Sequence, residues 1–418
     1  MPLKVTRSVP GPRFALSLAL ITVLAPAATD MYLASMPDIA RHMNVPYAVV
    51  QVTLTLYLLA QGVGQLFFGP LIDRYGRRVP LLLGLAAFIA SSIWAASSEG
   101  ILILSISRFA QGLSGALLLV IGFSSVRDVA QSTQAARLFA ILLTIEGLAP
   151  VFAPIAGGYV DANLGWRAVL LVSAGMGAFA LANSYFSLPE SLPQEKRISL
   201  KPTVIAATYR RIALDMNFLL PTLTLSAVFF YLFAYIGGAA FLYQNIYGLS
   251  PDDFGLVFGA SGAAVMAGAM TSSRMMRTRK VSEVGLTGLM LIIAGSVIAL
   301  VASLLLPHGT ASLCGIVAGF AVALFGLGIA EPSFVSLTMA SQKQALGFTA
   351  ALMGAMHLVL SSLSTPISGV LLPKGQNLWL AFLLISACGT LALGIMTRRN
   401  LLRSGNEAAP GQAAASHA

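Results

Sequence analysis

Long uninterrupted runs of apolar residues alternate with short polar stretches along almost the whole chain. Each run is long enough to cross a lipid bilayer as one helix, which needs about 20 apolar residues. The runs are continuous and lack the two-residue alternation of a barrel strand, so they exclude a transmembrane β-barrel. The pattern predicts twelve membrane-spanning helices, roughly over residues 14–36, 48–71, 79–98, 101–125, 138–160, 166–188, 217–243, 255–273, 284–306, 311–335, 346–372 and 377–397.

The composition supports the same class. Of the 418 residues, 57% are hydrophobic and only 10% are charged, whereas soluble domains carry about 25% charged residues. This leaves too little polar surface to cover a globule in water, so the chain is predicted to be an all-α integral membrane protein. Both cysteines, Cys314 and Cys388, lie in apolar runs and indicate no disulfide framework.

The net charge of +10 is distributed unevenly between the two sides of the predicted membrane. With the N-terminus in the cytoplasm, 21 of the 25 lysine and arginine residues fall on the cytoplasmic side, as the positive-inside rule requires. The basic excess therefore predicts a multi-pass membrane protein with both termini in the cytoplasm. It does not indicate nucleic-acid binding.

The start of the chain has a second interpretation. A basic stretch, an apolar stretch and the small residues APAA follow one another as in a signal peptide. Cleavage there would leave eleven spans and remove Asp30, an acid inside the first predicted span. Charge bias does not decide between the two, because the other spans would keep their orientation.

The longest predicted cytoplasmic connection, residues 190–216, divides the chain near its middle. We expect two six-helix halves, 1–189 and 217–400, and a disordered tail, 401–418. Two such halves are typical of a duplicated transporter whose site lies between them. The basic loops DRYGRR and SRMMRTRK occupy corresponding positions in the two halves, although the positive-inside rule alone would also explain the second loop.

Ionisable residues lie within several predicted spans, where a charge costs about 2.5–3.5 kcal/mol on insertion scales. Asp30 is the candidate proton carrier, since an acid exposed alternately to the two sides can load and release a proton. Arg108 is the candidate cation that tunes Asp30, and Glu146 is a second candidate proton site. The alternatives are interfacial positions for Asp30 and Arg108 and a helix-packing role for Glu146.

The candidate substrate-contacting residues are aromatic or polar side chains in the predicted spans: Tyr32, Tyr57, Gln61, Tyr231, Tyr235, Glu331 and His357. Tyr231 and Tyr235 are four residues apart and share a helix face, which would suit either a flat apolar substrate or lipid. Glu331 and His357 could equally be packing residues. The sequence has no metal-spaced His/Cys cluster and no P-loop, so we expect no cofactor and a proton gradient as the driving force.

The stretch FFGPLIDRYGRRVPLLLG (67–84) concentrates four charges, Asp73, Arg74, Arg77 and Arg78, within six positions between apolar runs. The arginines alone could enforce topology. They do not explain the acid or the glycines Gly69 and Gly76.

This stretch resembles the loop motif of the major facilitator superfamily, through Gly69, Pro70, Asp73, Arg74, Gly76, Arg77 and Arg78. The segment RFAQGLSGA (108–116) is similar to that superfamily's fourth-span motif through Arg108, Gln111, Gly112 and Gly115. The segment LAPVFAPIAGG resembles its fifth-span antiporter motif through Pro150, Pro154, Gly157 and Gly158, with Ala153 where the motif usually has glycine. Three motifs in this order and spacing are a strong signal.

The chain is similar over nearly its whole length to drug:proton antiporters of the Bcr/CflA type, the bicyclomycin and chloramphenicol exporters. Ala34, Ile72 and Ala240 depart from residues common in that group, and Ala240 lies in the presumed substrate region. The matching segments are TDMYL (29–33), QVTLTLYLLAQGVGQLFFGP (51–70), SSVRD (124–128), GWR (165–167), FAYIGGAAFLYQNIYGLSPDDFG (233–255) and GFTAALMGAM (347–356).

The resemblance implies proton-coupled export of drug-like small molecules by a monomer, with a pocket between the halves. It also implies that the charged stretch is a cytoplasmic latch, in which Gly69 lets the second span pack closely on the eleventh. Asp73 would lie near a helix N-terminus of the other half and pair with an arginine. The alternatives within transport are export of an endogenous metabolite or siderophore, and proton-coupled uptake. A membrane enzyme would need clustered catalytic residues, and a receptor would need a large soluble domain. The sequence shows neither feature.

Overall fold

The computed structural model describes residues 12–129, 132–197, 201–342 and 345–404, and these residues form helices without a β-strand. Short 3₁₀ segments lie at Gln194–Lys196 and Leu372–Lys374, and a π-helical segment at Phe241–Ile246. The α-helices are α1 Pro12–Thr22, α2 Leu24–Leu33, α3 Met36–His42, α4 Tyr47–Tyr75, α5 Arg78–Ala96, α6 Ile101–Val129, α7 Ser132–Leu164, α8 Trp166–Ser187, α9 Pro202–Ala213, α10 Met216–Ala240, α11 Pro251–Met275, α12 Val281–Leu305, α13 Thr310–Ala340, α14 Leu346–Ser362, α15 Ser364–Leu371 and α16 Gln376–Ser404.

The predicted spans are present as helices. Within the described ranges, ten helical segments are long and apolar enough to cross a membrane, and the bent pair α1–α2 makes an eleventh. In the place of the predicted fifth span lies α7, a helix of 33 residues. The prediction of an all-α integral membrane fold is confirmed.

Two spans are broken, each three residues before a proline. The first span bends by 40° between α1 and α2 at Val23, ahead of Pro26. The eleventh breaks at Leu363, ahead of Pro366. Proline lacks an N–H and its ring clashes with the carbonyl one turn earlier, so a helix kinks at that point.

The charged stretch differs from the predicted loop. Helix α4 continues to Tyr75, so Asp73 and Arg74 belong to its last turn, and Arg78 is the first residue of α5. Only Gly76 and Arg77 separate the two helices. Gly76 has φ +88°, in the left-handed region that favours glycine, and this conformation makes the tight reversal possible.

The chain ends also differ in detail. Residues 401–404 form the last turn of α16, so the predicted disordered tail cannot begin at 401. The rest of that tail, 405–418, and the signal-peptide-like residues 1–11 lie outside the described part of the chain. Within the connection 190–216, α9 is a short helix that was not predicted.

The helices before and after this connection pack mostly among themselves, and a few helices join the two groups. These are α7 against α11, and α4 against α14 and α15. We call the end of the bundle that carries the connection 190–216 the linker side. The opposite end, where α7 ends at Leu164 and α11 begins at Pro251, is the far side.

Candidate functional site

An arginine clamped between two tyrosine rings forms the centre of the first half. The guanidinium carbon of Arg108 on α6 lies 4.3 Å from the ring centroids of both Tyr32 on α2 and Tyr57 on α4. The side chain is 0% exposed. Cation–π attraction is strongest where the cation is desolvated, so the two rings replace much of the lost hydration.

The remaining partners of Arg108 satisfy only part of its guanidinium. Its Nη1 donates to Oε1 of Gln111 at 2.5 Å, and Gln111 Nε2 donates to Oγ of Ser92 at 2.7 Å. Nε and Nη2 of Arg108 have no hydrogen-bond partner. The predicted interfacial alternative does not fit a fully buried side chain, and Arg108 retains donors for a further acceptor.

Asp30 lies two residues before Tyr32 on α2 and is 8% exposed. The structure records no hydrogen bond or ion pair between Asp30 and any other described residue, Arg108 included. Asp30 interacts electrostatically with Tyr57, whose hydroxyl donates to the carbonyl of Ala25 at 2.9 Å. An isolated buried carboxyl is far less costly when protonated than when charged, which is the property a proton carrier needs.

Glu146 is separate from this clamp. It is half-buried on α7, beside Thr22 at the break between α1 and α2, and its Oε1 has no hydrogen-bond partner. The break at Val23 thus brings the end of α1 next to a second acid of the first half. A role for Glu146 in proton coupling stays a prediction.

The candidate substrate residues are scattered. Gln61 is buried on α4, one turn from Tyr57, and Glu331 is half-buried on α13 with no ion pair to a described residue. Half-buried His357 on α14 has its Nδ1 3.0 Å from the carbonyl of Met353, and its ring lies against that of Phe229, tilted by 40° with the centroids 4.4 Å apart.

Tyr231 and Tyr235 share a helix face, but that face points into the second half. The hydroxyl of Tyr231 is 2.8 Å from Oγ of Ser296, and that of Tyr235 is 2.9 Å from Oγ of Ser261. Both tyrosines are fully buried. They therefore line no accessible surface in this conformation, neither a substrate wall nor a lipid-facing stripe.

The charged residues between α4 and α5 form a network inside the first half. Arg77 pairs with Asp73 and with Asp128 at the end of α6, both at 2.8 Å. Burial opposes the charge of Arg77, but the bonds to Asp128 and Asp73 outweigh it and raise the pKa of the guanidinium. Glu190 accepts from the backbone N–H groups of Arg77 and Arg78, where a helix N-terminus favours an anion.

The latch contacts expected between the halves are not formed in this conformation. A Cβ added to Gly69 would meet nothing within 4 Å, whereas Gly62, earlier on α4, meets Leu358 of the eleventh span. Close packing at Gly69 with the cytoplasmic side closed stays a prediction. Asp73 does pair with an arginine, as expected, but Arg77 belongs to the same half. The outer arginines make local contacts, Arg74 over the ring of Tyr75 and Arg78 with the carbonyl of Tyr185.

The antiporter-motif residues lie where the halves meet on the far side. Gly157 faces the backbone of Met31, and Gly158 faces the carbonyl of Pro251 so closely that a Cβ would clash. The carbonyls of Pro150 and Pro154 lie against the neighbouring helix α11 at Gly262 and Gly255. Small residues at these positions allow the two backbones to approach closely.

Sequence reasoning missed a polar row on α4 that completes this closure. Tyr47 donates to the carbonyl of Gly237 at 3.0 Å, Gln51 donates to the same oxygen, and Oγ1 of Thr55 is 2.7 Å from Oγ1 of Thr365. The three residues recur every four positions, so they share one helix face. That spacing inside an apolar run is the signal that could have revealed them.

Two more missed residues connect the halves. Gln244, in the π-helical segment, donates to the carbonyl of Ala34 at 2.8 Å on the far side. On the linker side, Tyr209 of α9 donates to the carbonyl of Leu66 at 3.2 Å and its ring contacts Phe348 at 5.2 Å. Burial raises the pKa of Tyr209 to about 12, so its phenol remains a donor.

Comparison with known proteins places this architecture in a family. The family model of the Major Facilitator Superfamily matches residues 18–365. The chain belongs to the major facilitator superfamily. It is 30% identical to the uncharacterized MFS-type transporter YdgK of Bacillus subtilis, over 92% of this chain and 95% of that protein.

Two relatives carry more specific names. The bicyclomycin resistance protein homolog of Haemophilus influenzae is 31% identical over 62% of this chain and 66% of that protein. The multidrug resistance protein MdtL of Escherichia coli is 26% identical over 76% of this chain and 79% of that protein. These relatives agree with the resemblance to drug antiporters of the Bcr/CflA type.

Solved structures share the fold. A crystal structure of a peptide transporter POT, in complex with alafosfalin, has a TM-score of 0.73 at 15% identity, covering 94% of this chain and 95% of that one. A bacterial homolog of the human lysosomal transporter Spinster has a TM-score of 0.72 at 14% identity, covering 98% and 100%. The chain is a multi-span membrane transporter of the major facilitator fold.

Proposed function

We propose that this transporter exports drug-like small molecules from the bacterial cytoplasm across the inner membrane in exchange for protons. The observation that carries the proposal is Asp30, a buried carboxyl without an ionic partner, next to the clamp of Arg108, Tyr32 and Tyr57. A protonated Asp30 is neutral and tolerates burial. Once deprotonated, it needs water or a cation, and Arg108 has two free donors.

The proposed cycle assigns the linker side to the cytoplasm, in agreement with the 21 lysine and arginine residues predicted there. The far side, then periplasmic, is closed by α4, α7, α10 and α11. The close backbone contacts between α7 and α11 run from Gly158 and Pro251 on the far side to Pro150 and Gly262, and a Cβ added to Gly69 on the linker side of α4 would meet nothing within 4 Å. This conformation is therefore assigned as inward-facing, in which drug enters and Asp30 releases its proton to the cytoplasm.

In the outward-facing conformation, Asp30 would take up a proton from the periplasm as drug leaves. The latch network of Arg77, Asp73 and Asp128 would then meet the second half and hold the cytoplasmic side shut. Inward movement of a proton releases free energy of about 2.3 kcal/mol per 100 mV of membrane potential and about 1.4 kcal/mol per unit of pH difference. This free energy can drive export without a cofactor.

The proposed substrates are apolar or uncharged antibiotics such as phenicols, carried by a monomer. The printed names of two relatives, a bicyclomycin resistance protein homolog and a multidrug resistance protein, support this class. The pocket would lie between the halves, with half-buried Glu331 and His357 as candidate contacts. The buried residues Gln61, Tyr231 and Tyr235 would contribute only after a rearrangement.

Drug susceptibility in an efflux-deleted bacterial host tests the proposal. Empty vector, wild type, Asp30→Asn and Glu146→Gln are compared at matched expression against chloramphenicol, florfenicol, bicyclomycin, a fluoroquinolone and ethidium. We expect the wild type to raise the inhibitory concentration of at least one compound and Asp30→Asn to lose that resistance. Resistance retained in Asp30→Asn but lost in Glu146→Gln would move the proton site to Glu146. No resistance from well-expressed wild type would contradict drug export.

A further inference from the structure

Besides Asp30 and Glu146, the first half has another acid shielded from solvent. It lies where the two halves meet on the far side, which we call the far-side gate, and it has no part in the cycle described so far. Asp161, in the last turn of α7, is 7% exposed. Its Oδ1 has no hydrogen-bond partner. The hydroxyl of Ser35, the neighbouring side chain, favours the charged form of Asp161, but burial opposes that form more strongly.

The position of Asp161 follows from the packing of α7. Gly157 lies against the backbone of Met31, and one turn later Asp161 lies beside Ser35, four residues after Met31. The next residue of α7, Gly158, lies against Pro251 and Asp252 at the start of α11. Residues three and four apart share a helix face, so Asp161 lies one turn beyond both contacts, where α7 meets the α2–α3 junction of its own half and approaches the start of α11.

The same junction carries a hydrogen bond between the halves. Gln244 of the second half donates to the carbonyl of Ala34 at 2.8 Å, one residue before Ser35. A change of charge on Asp161 thus acts on the segment through which the far-side gate is held closed.

Other charged groups surround Asp161 from the elements packed near it. On α3, Asp38 and Arg41 act on it electrostatically and pair with each other at 3.3 Å. On α8, Arg167 is engaged with His42 at 3.1 Å and with the carbonyl of Ser98. Asp252 and Asp253 lie in the first turn of α11. None of the cations near this gate forms an ion pair with Asp161 among the described residues.

We propose that Asp161 is a proton-sensing residue of the periplasmic gate, neutral while the gate is closed and ionised when the gate opens to water. This role rests on the proposed function, and the two acids then have different tasks. Asp30 carries protons across, whereas Asp161 takes a proton from the periplasm and returns it there. An acidic periplasm then favours closure behind the departing drug, and the emptied transporter returns to the inward-facing conformation.

A distance measurement on the full-length protein in lipid nanodiscs tests this role without any drug. Cys314 and Cys388 are replaced by serine, and spin labels are placed at Ser97→Cys and Thr310→Cys, exposed positions at the far-side ends of the two halves. All samples carry Asp30→Asn, so that titration of Asp30 does not contribute. With Asp161 intact, we expect the open-to-closed ratio of the gate to rise about tenfold or more from pH 5.5 to pH 8.5, as one linked proton permits.

Asp161→Asn should remain closed at both pH values. Glu99→Gln, the loss of one exposed acid at the same end of the first half, should respond as the parent does. Asp161→Glu should restore the pH response, which also separates loss of the carboxyl from misfolding. An unchanged pH response in Asp161→Asn, or a parent without pH response, would overturn the proposal. Because neither drug nor Asp30 takes part, failure here leaves the drug-export proposal standing, and failure of that proposal leaves this result unaffected.

Discussion

The two ends of the interface between the halves are built differently. On the far side, the backbones of the two halves touch at Gly158, and side chains such as Gln51 and Gln244 donate to carbonyls of the opposite half. On the linker side, the charges around Arg77 are paired within one half, and a Cβ added to Gly69 would meet nothing within 4 Å. The comparison shows that the far-side contact consists of close packing and neutral hydrogen bonds. The charged residues around Arg77 are paired within the first half in this conformation.

The largest effect should come from adding a side chain at the point where the backbones of the two halves touch on the far side. Gly158→Val would place methyl groups against the carbonyl of Pro251, and overpacking of this kind costs about 1–3 kcal/mol. We expect a shift of the conformational equilibrium toward the outward-open form by about 5- to 150-fold, with transport nearly abolished. Labelling of a cysteine on the far side by an impermeant maleimide reports the shift.

Gly147→Val is the matched control for Gly158→Val. Gly147 lies on the same helix but would meet nothing within 4 Å of an added Cβ. Its substitution should leave the labelling rate unchanged. Equal effects of the two substitutions would mean that backbone contact does not close the far side.

Removing the clamped cation should have the next largest effect. Arg108→Gln keeps a polar group but loses the attraction to the rings of Tyr32 and Tyr57, worth about 2 kcal/mol or more when desolvated. We expect loss of proton-coupled transport and a lower midpoint of thermal unfolding. Arg108→Lys should keep the charge but lose the bond geometry to Gln111, giving an intermediate phenotype; full activity of Arg108→Gln would contradict the role assigned to the clamp.

A smaller effect is expected from one gate hydrogen bond. Gln51→Leu removes the donor to the Gly237 carbonyl, and a neutral hydrogen bond contributes about 1 kcal/mol. The open-to-closed ratio of the far side should rise about fivefold, measured with the same maleimide assay. Val52→Ala, at an exposed neighbouring position, should behave as wild type, and an unchanged ratio in Gln51→Leu would remove Gln51 from the gate.

The smallest effect on folding should come from the latch glycine. Gly69→Ala fills open space in this conformation, so the free energy of unfolding should change by less than about 0.5 kcal/mol. Transport should nevertheless slow, because the added methyl would obstruct close packing of α4 in the outward-facing conformation. A variant that transports at the wild-type rate would show that α4 never packs closely there.

The sequence predicted the spans because each apolar run must satisfy its backbone internally in lipid. The predicted end of α4 at residue 71 is too early, because Asp73 and Arg74 lie in its last turn, where charged residues are compatible with a helix. The connection 190–216 concealed α9, because this 12-residue helix is much less hydrophobic than the spans, although Ile205, Tyr209 and Ile212 recur at helical spacing.

The candidate site was predictable in part. Burial of Asp30 and Arg108 followed from their positions in apolar runs, but the pairing of Arg108 with Tyr32 and Tyr57 depends on the rotation of three helices. Periodicity showed that Tyr231 and Tyr235 share a face without showing which neighbour that face meets. The row formed by Tyr47, Gln51 and Thr55 was visible in its spacing, but its carbonyl partners on α10 belong to the other half of the chain.

The central claim is that a buried acid of the first half exchanges its proton for drug. The most direct test is proton release from purified transporter in weakly buffered detergent solution when a drug to which it confers resistance is added, followed with a pH-sensitive dye. We predict proton release from the wild type and from Asp38→Asn, and none from Asp30→Asn even where drug binding is retained. Release of the same number of protons from Asp30→Asn would contradict the claim and require another carrier.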